Sequence, residues 1–206
     1  MNSKDDLTVE ESVALLEFDL NIERGFLTRL ADEGDWSFVV KCHAFLEAAL
    51  SHLLADVLSE PALQGVFANT ETSNNKSGKL AFLKHLDLLN DDARRFIRSF
   101  SELRNGLVHD VSQVGFSFAT HIESLNRQQR QSFVKSFGYF ANGPTFGRDG
   151  KSISTHDFLI QHPKQGIWYS VMALCAVIYL SKDVARLRRL LRSLQAQSGA
   201  APDGNV

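Results

Sequence analysis

The sequence predicts an all-α fold, a helical bundle of about five to six helices with a long loop before the last helix. Apolar residues recur at helical spacing through most of the 206-residue chain, and residues that cap helices precede several of these runs. The composition, with 44% hydrophobic and 22% charged residues, is that of a globular protein and excludes a disordered chain. We therefore expect one domain over residues 1–198, followed by a flexible tail at 199–206.

The first helix is predicted to start after Thr8, which can form a capping box with Glu11, and to continue toward Leu30. Its acidic residues outnumber its arginines, and we interpret them as a solvated face. These residues are Glu10, Glu11, Glu17, Asp19 and Glu23.

Asp35 is predicted to cap a second helix, whose wide apolar stripe from Phe38 to Val57 is typical of a core helix. A polar loop at 69–77 should end in a cap at Ser77, before a shorter helix over about 79–89. The next helix should start from a turn and cap at 90–92 and continue to Val108.

Beyond position 109 the helical pattern weakens, and a polar helix is expected over about 126–140. Gly, Pro, Ser and Asp are frequent over 141–163, which predicts a long loop of the kind that is often functional. A last long helix should begin near Pro163, because proline suits a first helical turn.

The net charge of −2 gives no overall attraction to nucleic acid or to an anionic membrane. Cys42 and Cys175 each lie in an apolar helical run, which favours free thiols and a reducing compartment. The N-terminal residues do not resemble a secretory signal, and the apolar run from Ile167 to Leu180 is shorter than the roughly 20 residues that span a bilayer. We expect a cytoplasmic protein with no membrane contact.

The segment Arg104-Asn105-Gly106-Leu107-Val108-His109, near the end of a helix, contains the most informative chemistry. An arginine offers a fixed positive charge and planar donors for a phosphate, and a histidine transfers protons near neutral pH. Such a pair suits metal-free RNA cleavage, in which the histidine activates the ribose 2′-hydroxyl or protonates the leaving 5′-oxygen. The sequence has no metal-binding motif, so we expect neither a metal nor another cofactor.

A structural role is the alternative, because both side chains would also interact favourably with the negative end of the helix dipole. Residues five apart differ by about 140° around a helix and by about 7.5 Å along it. Arg104 and His109 therefore do not share a face. A common site requires that Arg104 reach around the helix, that the helix distort at Gly106, or that a twofold partner contribute the same motif.

The motif and its flanks, Ser-Glu-Leu-Arg-Asn-Gly-Leu-Val-His-Asp, resemble the Arg-Asn-x3-His signature of the HEPN superfamily. The order of segments 39–50, 79–84 and 88–91 is similar to that of its mannitol operon repressor branch, so the resemblance covers about 36–118. It implies a helical, often dimeric domain, in which some members cleave RNA and others only regulate or bind. In the nucleases the signature's arginine and histidine are catalytic, which implies Arg104 and His109 here, with Asn105 as the accompanying polar residue. Val111 stands where a toxin branch has a tyrosine that its antitoxin modifies.

Several other side chains are candidates for a supporting role. Glu102 lies on nearly the same helical stripe as His109, and the pair His43 and Glu47 on the second helix can place a carboxylate near the motif. Ordinary pairing or solvation is the alternative for each of them and for the basic residues. Those that could contact RNA phosphates around one groove are Lys79, Lys84, Arg94, Arg95 and Arg98.

The last helix is basic, so its charges could meet RNA or the acidic first helix of the same or another subunit, and we expect the acidic partner. Its basic residues are Lys182, Arg186, Arg188, Arg189 and Arg192.

These observations predict a HEPN-like RNA-acting protein, a metal-independent endoribonuclease of a toxin, stress or defence system. The alternative is a non-catalytic regulatory or protein-interaction module similar to the mannitol operon repressor branch, which fits the negative net charge better. A small-molecule sensor is a third hypothesis, suggested only by the long loop. We expect a homodimer whose partners are RNA or a protein such as an antitoxin.

Overall fold

A computed structural model describes residues 7–74, 76–139, 146–148 and 151–198. In this part of the chain there are ten α-helices, one 3₁₀ turn and one β-hairpin. The elements are α1 (Val9–Asp19), α2 (Phe26–Leu30), α3 (Asp35–Leu58), α4 (Leu63–Ala68), α5 (Lys79–His85), α6 (Asp91–Val108), the 3₁₀ turn (Val111–Gly115), α7 (Phe118–Ser124), α8 (Arg127–Phe137), β1 (Phe146–Arg148), β2 (Lys151–Ile153), α9 (Thr155–Gln161) and α10 (Pro163–Ser198).

The predicted all-α class is confirmed, but the predicted number of five to six helices is too low. The additional helices α2, α4, α7 and α9 are short, with five to seven residues each, and lie where the sequence indicates turns or continuous helices. The predicted loop at 141–163 is wrong in part, because it contains α9 and an antiparallel hairpin that pairs Phe146 with Ile153. Its other positions at 141–145 and 149–150, and the predicted tail at 199–206, lie outside the described residues.

The predicted first helix is broken after Asp19, because the backbone turns through left-handed conformations at Asn21 and Gly25, with φ of 55° and 80°. The capping box at its start is confirmed, since the Glu11 N–H donates to Thr8 Oγ1 at 3.1 Å and the Thr8 N–H donates to Glu11 Oε2 at 2.8 Å. Glu17 does not lie on a solvated face. It is 1% exposed, and its carboxylate accepts the N–H groups of Gly25 at 2.7 Å and Leu27 at 3.0 Å, which holds the start of α2.

Helix α3 lies at the centre of the bundle, where it packs against α2, α4, α5, α6 and α10. Asp35 is its first residue rather than its cap, which is Gly34. The Asp35 carboxylate instead accepts the Phe118 N–H at 2.8 Å, at the start of α7, and lies 3.6 Å from Lys164 Nζ of α10. Asp35, predicted as a local cap, therefore connects α3 to both α7 and α10.

The caps of α6 and α8 are asparagines at the predicted helix starts. Asn90 caps α6 by accepting the Ala93 N–H at 2.8 Å, and Asn126 caps α8, which ends at Phe137 rather than near 140. Helix α5 is preceded by Gly78 rather than by a cap at Ser77. A Cβ at Gly78 would lie 2.6 Å from the backbone oxygen of Asn74, so the loop packs too closely for any other residue.

The last helix begins at Pro163, as predicted, and extends for 36 residues. Its first half is buried in the core around Ile167, Val171 and Cys175. Cys175 and Cys42 are both buried free thiols, as expected, and burial raises the pKa of each. Two helices, Asp35–Leu58 and Pro163–Gln195, are long and apolar enough to cross a membrane by these two criteria alone; 67% of the apolar window in the first is buried, as in a core helix.

The second half of α10 meets acidic residues of the same chain, as the sequence predicts. Lys182 Nζ lies 2.8 Å from Asp19 of α1 and 3.4 Å from Asp56 of α3. Arg186 lies 3.2 and 3.3 Å from the same two carboxylates. Burial alone would raise the pKa of Asp19, but hydrogen bonds and charge from Lys182 and Arg186 leave it below its usual value.

We predict that Glu17→Ala lowers the free energy of unfolding by about 3 kcal/mol, because two N–H groups lose their acceptor. The exposed Glu10→Ala is the matched control and should change stability by less than about 0.5 kcal/mol. Urea denaturation of both variants measures the difference. Equal stability of the two variants would show that the Glu17 carboxylate does not hold the start of α2.

Candidate functional site

The motif occupies the last turn of α6, whose apolar face is buried in the core through Phe96, Phe100 and Leu107. The helix is continuous through Gly106 to Val108, so the expectation of a distortion at Gly106 is wrong. His109 is the C-terminal cap residue; its side chain is exposed, and its backbone N–H donates to Asn105 O at 3.2 Å.

One carbonyl at the end of α6 is bound by a residue from outside the motif. Trp36 at the start of α3 donates from Nε1 to the Leu107 carbonyl at 3.2 Å. Among the residues that the structure describes, neither the Arg104 nor the His109 side chain hydrogen-bonds to a terminal carbonyl of α6. The side chains of Arg104 and His109 therefore do not cap their own helix.

Arg104 and Asn105 form a pair at the edge of the bundle. Arg104 Nη1 donates to Asn105 Oδ1 at 3.0 Å, and both residues are half-buried. The Nε of Arg104 is buried and has no hydrogen-bond partner in the described part of the chain. A half-buried guanidinium that is oriented by a neighbouring amide can offer its Nη donors, but not the buried Nε, to an oxyanion such as phosphate.

His43 lies beneath this pair, because α3 and α6 run antiparallel, with Trp36 beside Leu107 and His43 beside Ser101. His43 is 5% exposed, and its Nε2 lies 2.9 Å from Ser101 Oγ. The Ser101 hydroxyl also donates to Ile97 O at 2.9 Å. The Nδ1 atom of His43 is buried and has no hydrogen-bond partner in the described part of the chain.

Burial and the surrounding charges together determine the protonation of His43. Burial lowers its pKa, Glu47 opposes this effect, and the positive charges of Arg104 and Lys79 lower the pKa further. The Nδ1 atom lies 3.5 Å from Glu47 Oε2. A neutral His43 thus lies close enough to Arg104 to interact with it electrostatically, and its neutrality avoids a second positive charge next to the guanidinium.

Glu47 connects His43 to the loop before α5. Thr72 Oγ1 donates to Glu47 Oε1 at 2.6 Å, and Lys79 Nζ lies 3.9 Å from the same oxygen. Lys79 is only 1% exposed, and its burial lowers its pKa while Glu47 opposes this effect. The structure thus places Lys79 in the interior rather than on a groove that could contact RNA, because the tightly packed loop before Gly78 covers it.

Two of the other predicted phosphate contacts are paired with acidic residues of their own helix. Arg94 pairs with Asp91, and Arg95 pairs with Asp92 at 2.5 Å, so aspartates of the same helix partly neutralise both charges. Lys84 is exposed at the end of α5, and Arg98 is half-buried in the middle of α6.

The predicted supporting residues lie in two places. Glu102 is exposed and lines a groove with Gly106, Phe116 and His121. The structure brings Arg104 and Asn105 together with the predicted supporting residues His43 and Glu47. Two further members, Ser101 and Thr72, were not singled out from the sequence, because a serine or threonine gives no signal until its partner is known.

No metal site accompanies these side chains: among the described residues, no group of three or more His, Cys, Asp or Glu could hold a metal ion. Comparisons of the chain with models of protein families, with curated proteins and with solved structures give no match. The proposed function therefore rests on the chemistry of these side chains and on the motif resemblance.

We predict that His43 makes folding stability depend on pH. Its pKa is lower in the folded than in the unfolded chain, so its contribution is complete above about pH 6.5 and is lost as the pH falls toward its folded pKa. His43→Gln keeps a donor for Ser101 but does not titrate. Between pH 7.5 and 5.5 the wild type should lose about 1 kcal/mol more stability than the variant, measured by urea denaturation.

His52 and His121, whose pKa values burial also lowers, are present in both proteins and cancel in the comparison. Equal losses of stability in the two proteins would contradict a buried, neutral His43.

Proposed function

We propose that this domain is a HEPN-like, metal-independent endoribonuclease of a cytoplasmic toxin, stress or defence system. The observation that carries the proposal is that, in the described part of the chain, neither Arg104, which pairs with Asn105, nor the exposed His109 bonds to a terminal carbonyl of α6, one of which binds Trp36 instead. Side chains with a purely structural role there would interact with the terminal carbonyls of the helix. The motif resemblance supports the same assignment.

In the proposed reaction the ribose 2′-oxygen attacks the adjacent phosphorus, and the bond to the 5′-oxygen of the next nucleotide breaks. The products are a 2′,3′-cyclic phosphate and a free 5′-hydroxyl. The guanidinium of Arg104 stabilises the charge that develops on the non-bridging oxygens. His109 accepts the proton of the 2′-hydroxyl or gives a proton to the leaving 5′-oxygen.

Asn105, His43 and Glu47 act as positioning residues in this proposal. Asn105 fixes the guanidinium through the 3.0 Å hydrogen bond. His43, kept neutral by burial, adds no positive charge that would repel Arg104, and Glu47 offsets the buried charge of Lys79.

The complete site is proposed to need two copies of the chain. Because α6 is continuous, Arg104 and His109 differ by about 140° around the helix. A second copy that faces the first motif would supply its His109 to the first Arg104, and the reverse. Both motifs then share one cleft, in which the His109 of one copy accepts the 2′-hydroxyl proton and the partner's His109 protonates the leaving 5′-oxygen.

A regulatory or protein-interaction module is the second candidate. It is favoured by the surroundings of the motif, where Lys79 is buried and aspartates partly neutralise Arg94 and Arg95. Without a basic groove, RNA gains little electrostatic attraction. In this alternative Arg104 and Asn105 bind an acidic segment of a partner protein, such as an antitoxin.

We predict that the purified full-length chain cleaves single-stranded RNA in the presence of a chelator, and that Arg104→Ala and His109→Ala each slow cleavage at least about 100-fold. Arg104→Lys should also lose activity, because lysine lacks the planar donors. The matched controls are Arg127→Ala and His156→Ala, two exposed residues on other helices, which should retain the wild-type rate.

The rates are measured by gel electrophoresis of a labelled RNA pool. Wild-type rates in the Arg104→Ala or His109→Ala variant would contradict the assignment of catalytic residues. A wild-type protein that does not cleave RNA, with or without the chelator, would reject the nuclease proposal in favour of the regulatory one.

A further inference from the structure

The second half of α10 is docked on the bundle by its charged side. Lys182 is 1% exposed and lies between Asp19 and Asp56, and Arg186 pairs with the same carboxylates. Arg189 donates to the Asp56 carbonyl and lies 3.3 Å from Ser59 Oγ. Positions 182, 186 and 189 lie four and three residues apart, so they form one stripe along the helix.

The opposite side of this segment is apolar and exposed. Its residues are 45–60% exposed and are Leu180, Val184, Leu187, Leu191 and Leu194. At about 100° per residue, this stripe lies roughly 160° around the helix from the docked charges. The usual arrangement of an amphipathic helix is thus inverted, because the charged face meets the protein and the apolar face meets solvent. A continuous apolar stripe of this kind marks an interaction surface.

The spacing of the stripe identifies the kind of partner. Together with Val177, the exposed residues alternate in steps of three and four, which is the a/d pattern of a coiled coil. Val177, Val184 and Leu191 take the a positions, and leucines take every d position, at 180, 187 and 194. Valine stands at two of the three a positions, and in a parallel coil valine at a with leucine at d favours two strands.

The charges beside the stripe favour the same arrangement. Asp183 takes a g position and Arg188 the e position five residues later. In a parallel pair these positions face each other across the interface, so Asp183 would meet the partner's Arg188, and twofold symmetry repeats the contact. Two identical chains therefore complement each other in charge as well as in apolar surface.

We propose that residues 177–194 of α10 form a parallel, two-stranded coiled coil with a second copy of this chain. The docked charges lie roughly opposite the stripe, so the exposed leucines are open to a second helix. A groove of about 380 Å³ beside Val177 and Val184, lined also by Val57, Leu86 and Leu88, extends the apolar surface at the base of the coil. The inference depends on α10 and its docking alone, and not on the proposed nuclease activity.

Light scattering of the full-length chain between about 5 and 100 μM tests the interface. The wild type should have about twice the chain mass of 23.0 kDa, and the double variant Leu187→Glu/Leu191→Glu should be monomeric, with an unchanged circular dichroism spectrum. The control Ser193→Glu, exposed and away from the stripe, should remain dimeric. A monomeric wild type, or a double variant that remains dimeric, would overturn the proposal.

Oxidation of a Leu194→Cys variant tests the parallel orientation. In a parallel coil the two copies of position 194 face each other, whereas an antiparallel coil in the same a/d register places 194 opposite 177, about 25 Å away along the axis. Cys42 and Cys175 are buried and do not compete. We expect a covalent dimer on a non-reducing gel. Its absence would overturn the parallel arrangement, and co-sedimentation of the wild type with anionic phospholipid vesicles, lost in Leu187→Glu/Leu191→Glu, would assign the stripe to a membrane surface instead.

Discussion

The burial of α3 is the constraint on which the rest of the structure depends. A central helix that packs against five others cannot leave its polar side chains unpaired, because each unpaired buried group costs about 1–3 kcal/mol. Five polar or charged side chains of α3 reach neighbouring elements, and these contacts help to set the positions of the outer helices. Asp35 binds the start of α7, Trp36 the end of α6, His43 the middle of α6, Glu47 the loop before α5, and Asp56 the second half of α10.

Two of these contacts shape the candidate site. Trp36 binds one carbonyl at the end of α6, and in the described part of the chain neither Arg104 nor His109 bonds to that end through its side chain. His43 provides a buried, neutral group beneath Arg104. A third contact, at Asp56, orients α10. It binds the charged side of that helix to the bundle, and the leucines on the other side are exposed. Pairing of the polar groups of α3 thus affects both the half-buried Arg104 and the exposed apolar stripe.

Much of the fold follows from local sequence signals, since caps at Thr8 and Asn90 and the start of α10 at Pro163 depend on neighbouring residues only. The errors occur where tertiary contacts decide. Glu17 is chemically like its solvated neighbours, but a distant turn supplies two donors for it. Lys79 is buried by a loop whose close packing depends on Gly78. Arg104, Asn105 and His43 are all candidates from the sequence. Helical periodicity does not show, however, that Trp36 binds the Leu107 carbonyl at the end of α6.

We propose that Arg104 and His109 support metal-free attack by the ribose 2′-oxygen. The chemical ends of the RNA products test it most directly. Mass spectrometry of an oligoribonucleotide cut by the wild-type protein in the presence of a chelator should show a 2′,3′-cyclic phosphate on one fragment and a 5′-hydroxyl on the other. Fragments that carry a 3′-hydroxyl and a 5′-phosphate would show that water, not the 2′-oxygen, is the nucleophile, and would contradict the account.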